Sequence, residues 1–272
     1  MQGRWLSAVG AAVALGLAMA VAPSAAFAAD HAGATIIVGA DTTFPPFEAE
    51  VGGKVTGFDI DMIRDIAKAE DLKVDFKTMP FNGIIPGLQV GSVNAAVAGI
   101  TITKSRMQSV DFSDAYYLSG LSVLVRKDSP IKGFSDLKGH VVATKKATSS
   151  VAYLQTHGFD MGNVRQFANI DAAYQALLSD GADAVIFDNP VNLNFELHEK
   201  DKVKIVGDLL TGEYYGVAVS KKNPWLVAKM NAGLKKIRAN GEYDKLFDKY
   251  FGGDAHGKVT EVKAPASVAT ND

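Results

Sequence analysis

The sequence predicts an α/β protein of two lobes, each a mostly parallel sheet flanked by helices, with two hinge strands joining them. Three patterns predict it. Short apolar runs alternate with helical periodicities from Thr35 to Ala98, the rhythm of a βαβαβ unit. The same rhythm recurs from His140 to Phe187. Two β-rich runs, 116–127 and 214–219, flank that second copy, the later one with no crossover helix between it and the preceding strand. The chain therefore leaves one lobe, builds the other and returns.

Each element has a local reason. Ile36, Ile37 and Val38 are a β-branched run and form the first strand. Over 58–69 the residues Phe58, Met62, Ile63, Ile66 and Ala67 share one helical stripe. Residues 72–76 read as the second strand, 83–90 as a helix stopped by Gly91, and 93–98 as the third strand. Thr103 then has the chemistry of an N-cap, which puts Lys104 and Arg106 in a first helical turn, against the macrodipole. A bound anion would compensate, held by Thr101, free N–H groups and the guanidinium. A solvated arginine beside an ordinary cap reads the octet Gly99 to Arg106 equally well.

In the second lobe 140–143, 164–167, 184–187 and 203–206 read as strands, and 149–155 and 171–178 as helices. Helices over 225–237 and 243–250 rejoin the first lobe. The expected boundaries are 29–117 with 215–253 for lobe 1, and 118–214, including hinge strands, for lobe 2. Residues 254–272 lack periodicity, are rich in polar residues and Pro, and read as a disordered tail.

Composition excludes several classes. One basic residue, Arg4, precedes an apolar stretch over 6–21, Pro23 and the triplet Ala26-Phe27-Ala28, the order of a secretory signal peptide cleaved after Ala28. An uncleaved anchor is the alternative, since 5–22 is nearly long enough to span a bilayer. After cleavage 27 of the 28 basic residues and all 30 acidic ones remain, a net charge of −3, which does not suit a nucleic-acid binder. With no cysteine, disulfides, thiolate catalysis and a lipidated N-terminal Cys are excluded, so a free protein of a bacterial periplasm is expected. The five histidines, at 31, 140, 157, 198 and 256, lack metal-binding spacing, and no Gly-x-Ser-x-Gly elbow occurs. Residues 252–258 mimic the start of a P-loop, but Val259 stands where Ser or Thr is required. No enzymatic activity, catalytic residue, metal or cofactor is expected.

In open α/β sheets ligands bind beyond the carboxyl ends of the strands. In lobe 1 those ends deliver Asp41 with Phe44, then Phe81, then Gly99, Thr101 and Arg106. In lobe 2 they deliver Lys145, the helix start Thr148-Ser149-Ser150, and Asp188. Opposite charges between two aromatic faces suit a small zwitterion with a polar side chain. Taken singly, each has a plainer role: Asp188 before Asn-Pro forms turns, and Phe44 and Phe81 fill cores.

Gly57-Phe58-Asp59-Ile60-Asp61, Phe81-Asn82-Gly83-Ile84-Ile85-Pro86, Ala98 to Thr103 with Arg106, Asp111-Phe112-Ser113-Asp114 and Ala182-Asp183-Ala184-Val185 together carry a resemblance over 35–252. The chain resembles the periplasmic polar-amino-acid-binding proteins of ABC importers, solute-binding protein family 3, and most of all their glutamine-binding branch. The resemblance implies a two-lobed periplasmic binding protein fold of type II and a monomer that hands its ligand to an inner-membrane permease. It implies that Arg106 pairs with the ligand α-carboxylate, helped by the N–H groups of Thr101 and Ser149. Asp188, the Gly99 carbonyl and the Thr101 hydroxyl would hold the α-ammonium. Phe44 and Phe81 would sandwich the side chain, and Asp41 and Lys145 would read its polar end.

An amide is both donor and acceptor, so a carboxylate beside an ammonium satisfies glutamine. The chain departs from the glutamine pattern at Phe187, where that branch has His, and at Ser149, where it has Gly. Another polar amino acid, such as glutamate, histidine or a basic one, is the alternative ligand. A cyclohexadienyl-dehydratase-like enzyme on the same scaffold would need a general acid, and no spare Glu stands at a predicted strand end. A sensor module presenting its ligand to a receptor is a third reading.

Overall fold

The computed structural model describes residues 31–252 and 256–271. The leader read over 1–28 lies outside them. In chain order the first lobe holds β1 (Thr35–Ala40), β2 (Thr43–Phe44), β3 (Glu48–Val51), β4 (Lys54–Thr56), α1 (Phe58–Ala69), β5 (Lys73–Thr78), α2 (Phe81–Val90), β6 (Ala95–Val97), α3 (Lys104–Ser109) and β7 (Asp111–Phe112). Through β8 (Tyr117–Ser119) the chain enters the second lobe, with β9 (Leu121–Arg126), β10 (Val142–Lys145), α4 (Ser149–Thr156), β11 (Val164–Phe167), α5 (Ile170–Leu178), β12 (Ala184–Asp188), α6 (Asn189–His198) and β13 (Val203–Val206). It returns through β14 (Glu213–Tyr215) to β15 (Ala218–Val219), α7 (Trp225–Ala239), α8 (Glu242–Phe251) and the short α9 (Pro265–Val268). Among the described residues no helix is long and apolar enough to cross a membrane.

Each lobe is built on a five-stranded mixed sheet. The first has the order β5-β1-β6-β15-β7, with β1 parallel to β5 and β6, and β15 antiparallel to β6 and β7. The second repeats the plan as β11-β10-β12-β9-β13, with β10 parallel to both neighbours and β9 antiparallel to both of its own. The antiparallel strands mark where the linking runs dock: β9 carries the outgoing run into one sheet and β15 the returning run into the other. Between the sheets β8 and β14 pair as an antiparallel ribbon. Gly120 interrupts the outgoing run, where a Cβ would lie 2.2 Å from the Thr211 carbonyl oxygen.

Apolar periodicity explains the packing. On α1 the buried Phe58, Met62, Ile63, Ile66 and Ala67 face α7 and α8. At the hinge base the Phe58 ring lies 5.4 Å from Phe247, and Tyr117 stacks on Tyr215 and on Phe247 at 5.6 Å each. Gly57 opens α1 at a φ of 132°, and a Cβ there would lie 2.0 Å from the Phe47 carbonyl oxygen. Only glycine permits that approach.

Two parts of the fold differ from the sequence reading. Helix α6 follows Asp188 without a break, although Asn-Pro-Val-Asn-Leu-Asn has the composition of a loop. Pro190 falls in the first turn, where its missing N–H costs nothing, and the buried Asn192 finds its partners on other elements. The Tyr174 hydroxyl donates to Asn192, whose amide donates to Ser122 and to the Phe187 carbonyl.

The disordered-tail reading is corrected: residues 256–271 dock on lobe 1 and the hinge. Leu118 donates its N–H to the Gly257 carbonyl at 2.8 Å, Ala115 to Lys263 at 2.9 Å and Lys104 to Thr270 at 2.9 Å, while Thr270 donates back to Ile102 at 3.1 Å. Val259 is buried. Backbone pairing needs no side-chain periodicity, so composition carries no trace of it.

Candidate ligand-binding site between the lobes

Lobe 1 contributes three strand ends. β1 leads into Asp41, whose Oδ1 accepts from the Thr43 N–H at 3.0 Å and the Thr43 hydroxyl at 2.7 Å. Its Oδ2 accepts the Phe81 N–H at 3.0 Å, which satisfies an orphan donor in the first turn of α2 and fixes the Phe81 ring at the cleft. Beyond β6, Gly99 turns at a φ of +51°, and a Cβ there would lie 2.2 Å from the Phe44 ring. Its N–H donates to Asp59 Oδ2 at 3.1 Å, and the same oxygen accepts the hydroxyl of Tyr116 at 2.6 Å. Burial and the Asp59 charge push the carboxyl of neighbouring Glu48, beneath this turn, well above the usual range.

Thr103 caps α3 by accepting the Arg106 N–H at 3.2 Å. The half-buried Arg106 side chain folds back over that cap. Its Nη1 donates to the Thr101 carbonyl at 2.8 Å, its Nη2 reaches the Ala147 carbonyl of lobe 2 at 3.3 Å, and its guanidinium lies 5.4 Å from the Phe81 ring centroid. A cation placed against a helix dipole is thus turned toward the cleft rather than toward bulk solvent.

Lobe 2 answers with the ends of β10 and β12. Lys145 closes β10 with its side chain only 1% exposed, and its ammonium donates to Asp41 Oδ2 at 2.5 Å across the cleft. The same Nζ lies 5.7 Å from the Phe44 ring and 5.5 Å from the Phe81 ring. Ala147 takes a φ of 65°, a strained turn that brings its carbonyl to Arg106. Thr148 precedes α4 but spends its hydroxyl on the Lys145 carbonyl at 2.6 Å, not on a helix N–H.

Asp188 ends β12 at the N-cap position of α6, yet among the described residues its side chain caps no helix N–H. It accepts the hydroxyl of Tyr215 from β14 instead. Burial, and after it the Glu213 charge, push the Asp188 carboxyl up to about 7, against the pull of Tyr215 and Arg106.

The cleft is lined by Phe44, Phe81, Gly99, Thr101, Arg106, Lys145, Ser149, Phe187 and Asp188, with Ala98 and Thr148. All the residues singled out by sequence meet there except Asp41, which stands behind Lys145. Two roles implied by the resemblance meet a different geometry. Asp41, expected to read a side chain, is 3% exposed and already accepts from Thr43, Phe81 and Lys145. The Thr101 hydroxyl, expected on an ammonium, donates to Glu213 Oε2 at 2.7 Å.

Glu213, which the sequence reading missed, stands behind the cleft wall, where its carboxylate accepts the hydroxyls of Thr101 and Ser149. It lies 3% exposed on β14. A lone carboxylate in a β-rich run, between Gly212 and Tyr214, was the available signal. Phe187 meets Phe44 edge to face at 5.7 Å, so the departure from His fills the cleft wall with an apolar ring.

The fold and the cleft define a two-lobed solute-binding protein. The chain belongs to the bacterial extracellular solute-binding proteins, family 3, whose model matches residues 36–253. A probable histidine-binding protein of Neisseria gonorrhoeae is 34% identical over 255 residues, covering 91% of this chain and 95% of that one. A glutamine-binding protein of an ABC transporter from Bacillus subtilis is 37% identical over 202 residues, covering 73% of each. Among solved structures, an ancestral arginine-binding protein, seen with arginine and with glutamine, is 41% identical with a TM-score of 0.75, covering 80% of this chain and 98% of that one. The arginine-, lysine-, histidine-binding protein ArtJ of Geobacillus stearothermophilus gives a TM-score of 0.77 at 33% identity, covering 80% and 95%.

Proposed function

We propose that the protein captures one L-amino acid between its lobes, with glutamine preferred, and delivers it to an inner-membrane ABC permease, working as a monomer in the periplasm. One observation carries the reading. The Arg106 guanidinium and the Asp188 carboxylate face the same closed cleft from opposite lobes, with the Phe44 and Phe81 rings beside them. Such a pair fits the α-carboxylate and α-ammonium of any amino acid, and the rings fit the aliphatic part of its side chain. A ligand touching both lobes favours the closed state by its differential affinity.

The side-chain preference follows from the Asp41–Lys145 pair. Asp41 neutralises Lys145, so the far end of the cleft is polar without net charge, and Lys145 keeps donor capacity beyond its bond to Asp41. A neutral amide oxygen fits there. A guanidinium would meet the Lys145 ammonium as a like charge. The relatives named above are described as binding histidine, glutamine, arginine or lysine, so the side-chain preference is assigned here to Asp41, Lys145, Ser149 and Phe187.

Calorimetry on ligand-stripped protein with glutamine, glutamate, asparagine, histidine and arginine tests both levels. Glutamine is expected to bind most tightly. A stronger response to arginine or histidine would overturn the preference, and no heat or thermal shift with any amino acid would overturn the capture itself.

A further inference from the structure

Glu213 has no part in the clamp outlined above, yet its carboxylate sits where both lobes and the hinge meet. Oε2 accepts the Thr101 hydroxyl of lobe 1 at 2.7 Å and the Ser149 hydroxyl of lobe 2 at 2.8 Å. Oε1 accepts the Thr211 hydroxyl, on the returning run just before β14, at 3.0 Å. Thr101 and Ser149 are the residues whose backbone N–H groups are assigned to the ligand carboxylate. One buried oxygen therefore ties together the two segments to which the anion half of the clamp is assigned.

We propose that Glu213 is a positioning residue that latches the closed state by bridging Thr101 and Ser149. Hydroxyl groups donating to a carboxylate make short, strong bonds in a buried site, and a carboxylate stripped of them bears a desolvation cost. Whichever lobe Glu213 follows when the cleft opens, it gives up a partner on the other. The latch also gives the Ser149 hydroxyl a partner. That hydroxyl is spent on Glu213, so the side chain does not occupy the cleft as an unpaired polar group. Ser149 and Glu213 thus act as a matched pair.

The role presupposes the amino-acid clamp, and the test keeps the two apart. Glu213→Ala removes both bonds, whereas Glu213→Gln keeps a carbonyl oxygen able to accept both hydroxyls and removes the charge. With Glu213→Ala, stopped-flow dissociation of glutamine is expected to quicken by about tenfold to a hundredfold, the effect of losing hydrogen bonds to a charged group. Ser149→Ala should cost much less in the Glu213→Ala background than alone, which marks direct coupling. Glu213→Gln, the conservative variant, should retain slow dissociation but move the pH midpoint of binding downward. The groups facing Asp188 are Tyr215 and Glu213 on β14, Arg106 on α3 and Tyr174 on α5, and Glu213 is the carboxylate among them whose charge raises it.

A second arm needs no ligand. Spin labels, one on each lobe, report inter-lobe distances in the ligand-free protein, and Glu213→Ala should shift them toward the open form. If Glu213→Ala changes neither dissociation nor the inter-lobe distances, the latch is overturned. If the wild-type protein binds no amino acid, the functional reading fails and the spin labels still decide the latch.

Discussion

Arg106 and Asp41 carry opposite sequence histories into one cleft, and they answer to different tests. Arg106 stands against its own helix dipole and bends over Thr103 to face the cleft. Asp41 is consumed by Thr43, Phe81 and Lys145. Arg106→Ala is expected to weaken every amino acid by at least about thirtyfold, the ~2 kcal/mol lower bound for truncating one member of a buried hydrogen-bonded charge pair. Asp41→Asn leaves the Lys145 ammonium unneutralised, so competition calorimetry should show glutamate gaining on glutamine. Equal losses from both substitutions would contradict the division between clamp and side-chain reader.

Asp188 adds a pH dependence at the same scale. Holding an ammonium requires the carboxylate, and its pKa lies at about 7 through burial and Glu213. Below about pH 7 the affinity should therefore fall about tenfold per unit, and binding near pH 7 should release a proton, visible as heat that varies with the buffer. In the ligand-free protein the sign is reversed. A carboxyl raised from 3.8 to about 7 favours the folded state at low pH. That contribution is present in full below 3.8 and is lost as pH rises through about 7. Melting temperatures of Asp188→Asn against wild type across that window measure it: the variant should lose this part of the pH slope.

At the scale of elements, backbone contacts decide what side chains leave open. Periodicity located α1 and the parallel strands, because their burial comes from the chain's own apolar stripe. Helix α6 was hidden because Asn192 and Pro190 are polar or helix-breaking by composition, and only Tyr174, Ser122 and the Phe187 carbonyl make a buried Asn192 satisfied. The C-terminal segment was hidden for a related reason: its bonds to Ile102, Lys104, Ala115 and Leu118 are main chain to main chain. That segment lies beyond the residues matched by the family, yet it pins the start of α3 and the residues before it through Ile102 and Lys104. Truncation after Phe251 is expected to lower the melting temperature. It should also speed amide exchange at Lys104 and Leu118, while leaving exchange in β10 and β12 of lobe 2 unchanged. Undiminished protection at Lys104 would show the strap to be idle.

For the whole molecule, the sheets fix the strand ends and the ribbon of β8 and β14 fixes how the two sets of ends can meet. Besides the ring contact of Phe44 with Phe187, the lobes touch through Lys145 on Asp41, Arg106 on Ala147, and Thr101 and Ser149 on Glu213, polar contacts that water could replace on opening. Saturating glutamine should accordingly reduce the radius of gyration in X-ray scattering, as expected for a hinge closing on its ligand. An unchanged scattering profile on binding would mean that the lobes do not move.

What the sequence by itself determined is the set of strand-end residues and their two-lobed rhythm, because periodicity and chain order are local properties. From Gly99 and Arg106 through Lys145 to Asp188, the residues of the cleft could be named before any coordinate. Only the tertiary structure decided which of them face a ligand and which face one another. Asp41 retreats behind Lys145, Thr101 and Ser149 turn their hydroxyls to Glu213, and Tyr215 reaches Asp188 from the hinge. Those choices depend on distances between segments up to about a hundred residues apart in the chain, set when two sheets close on a common ribbon, and buried polar groups must find their partners across that gap.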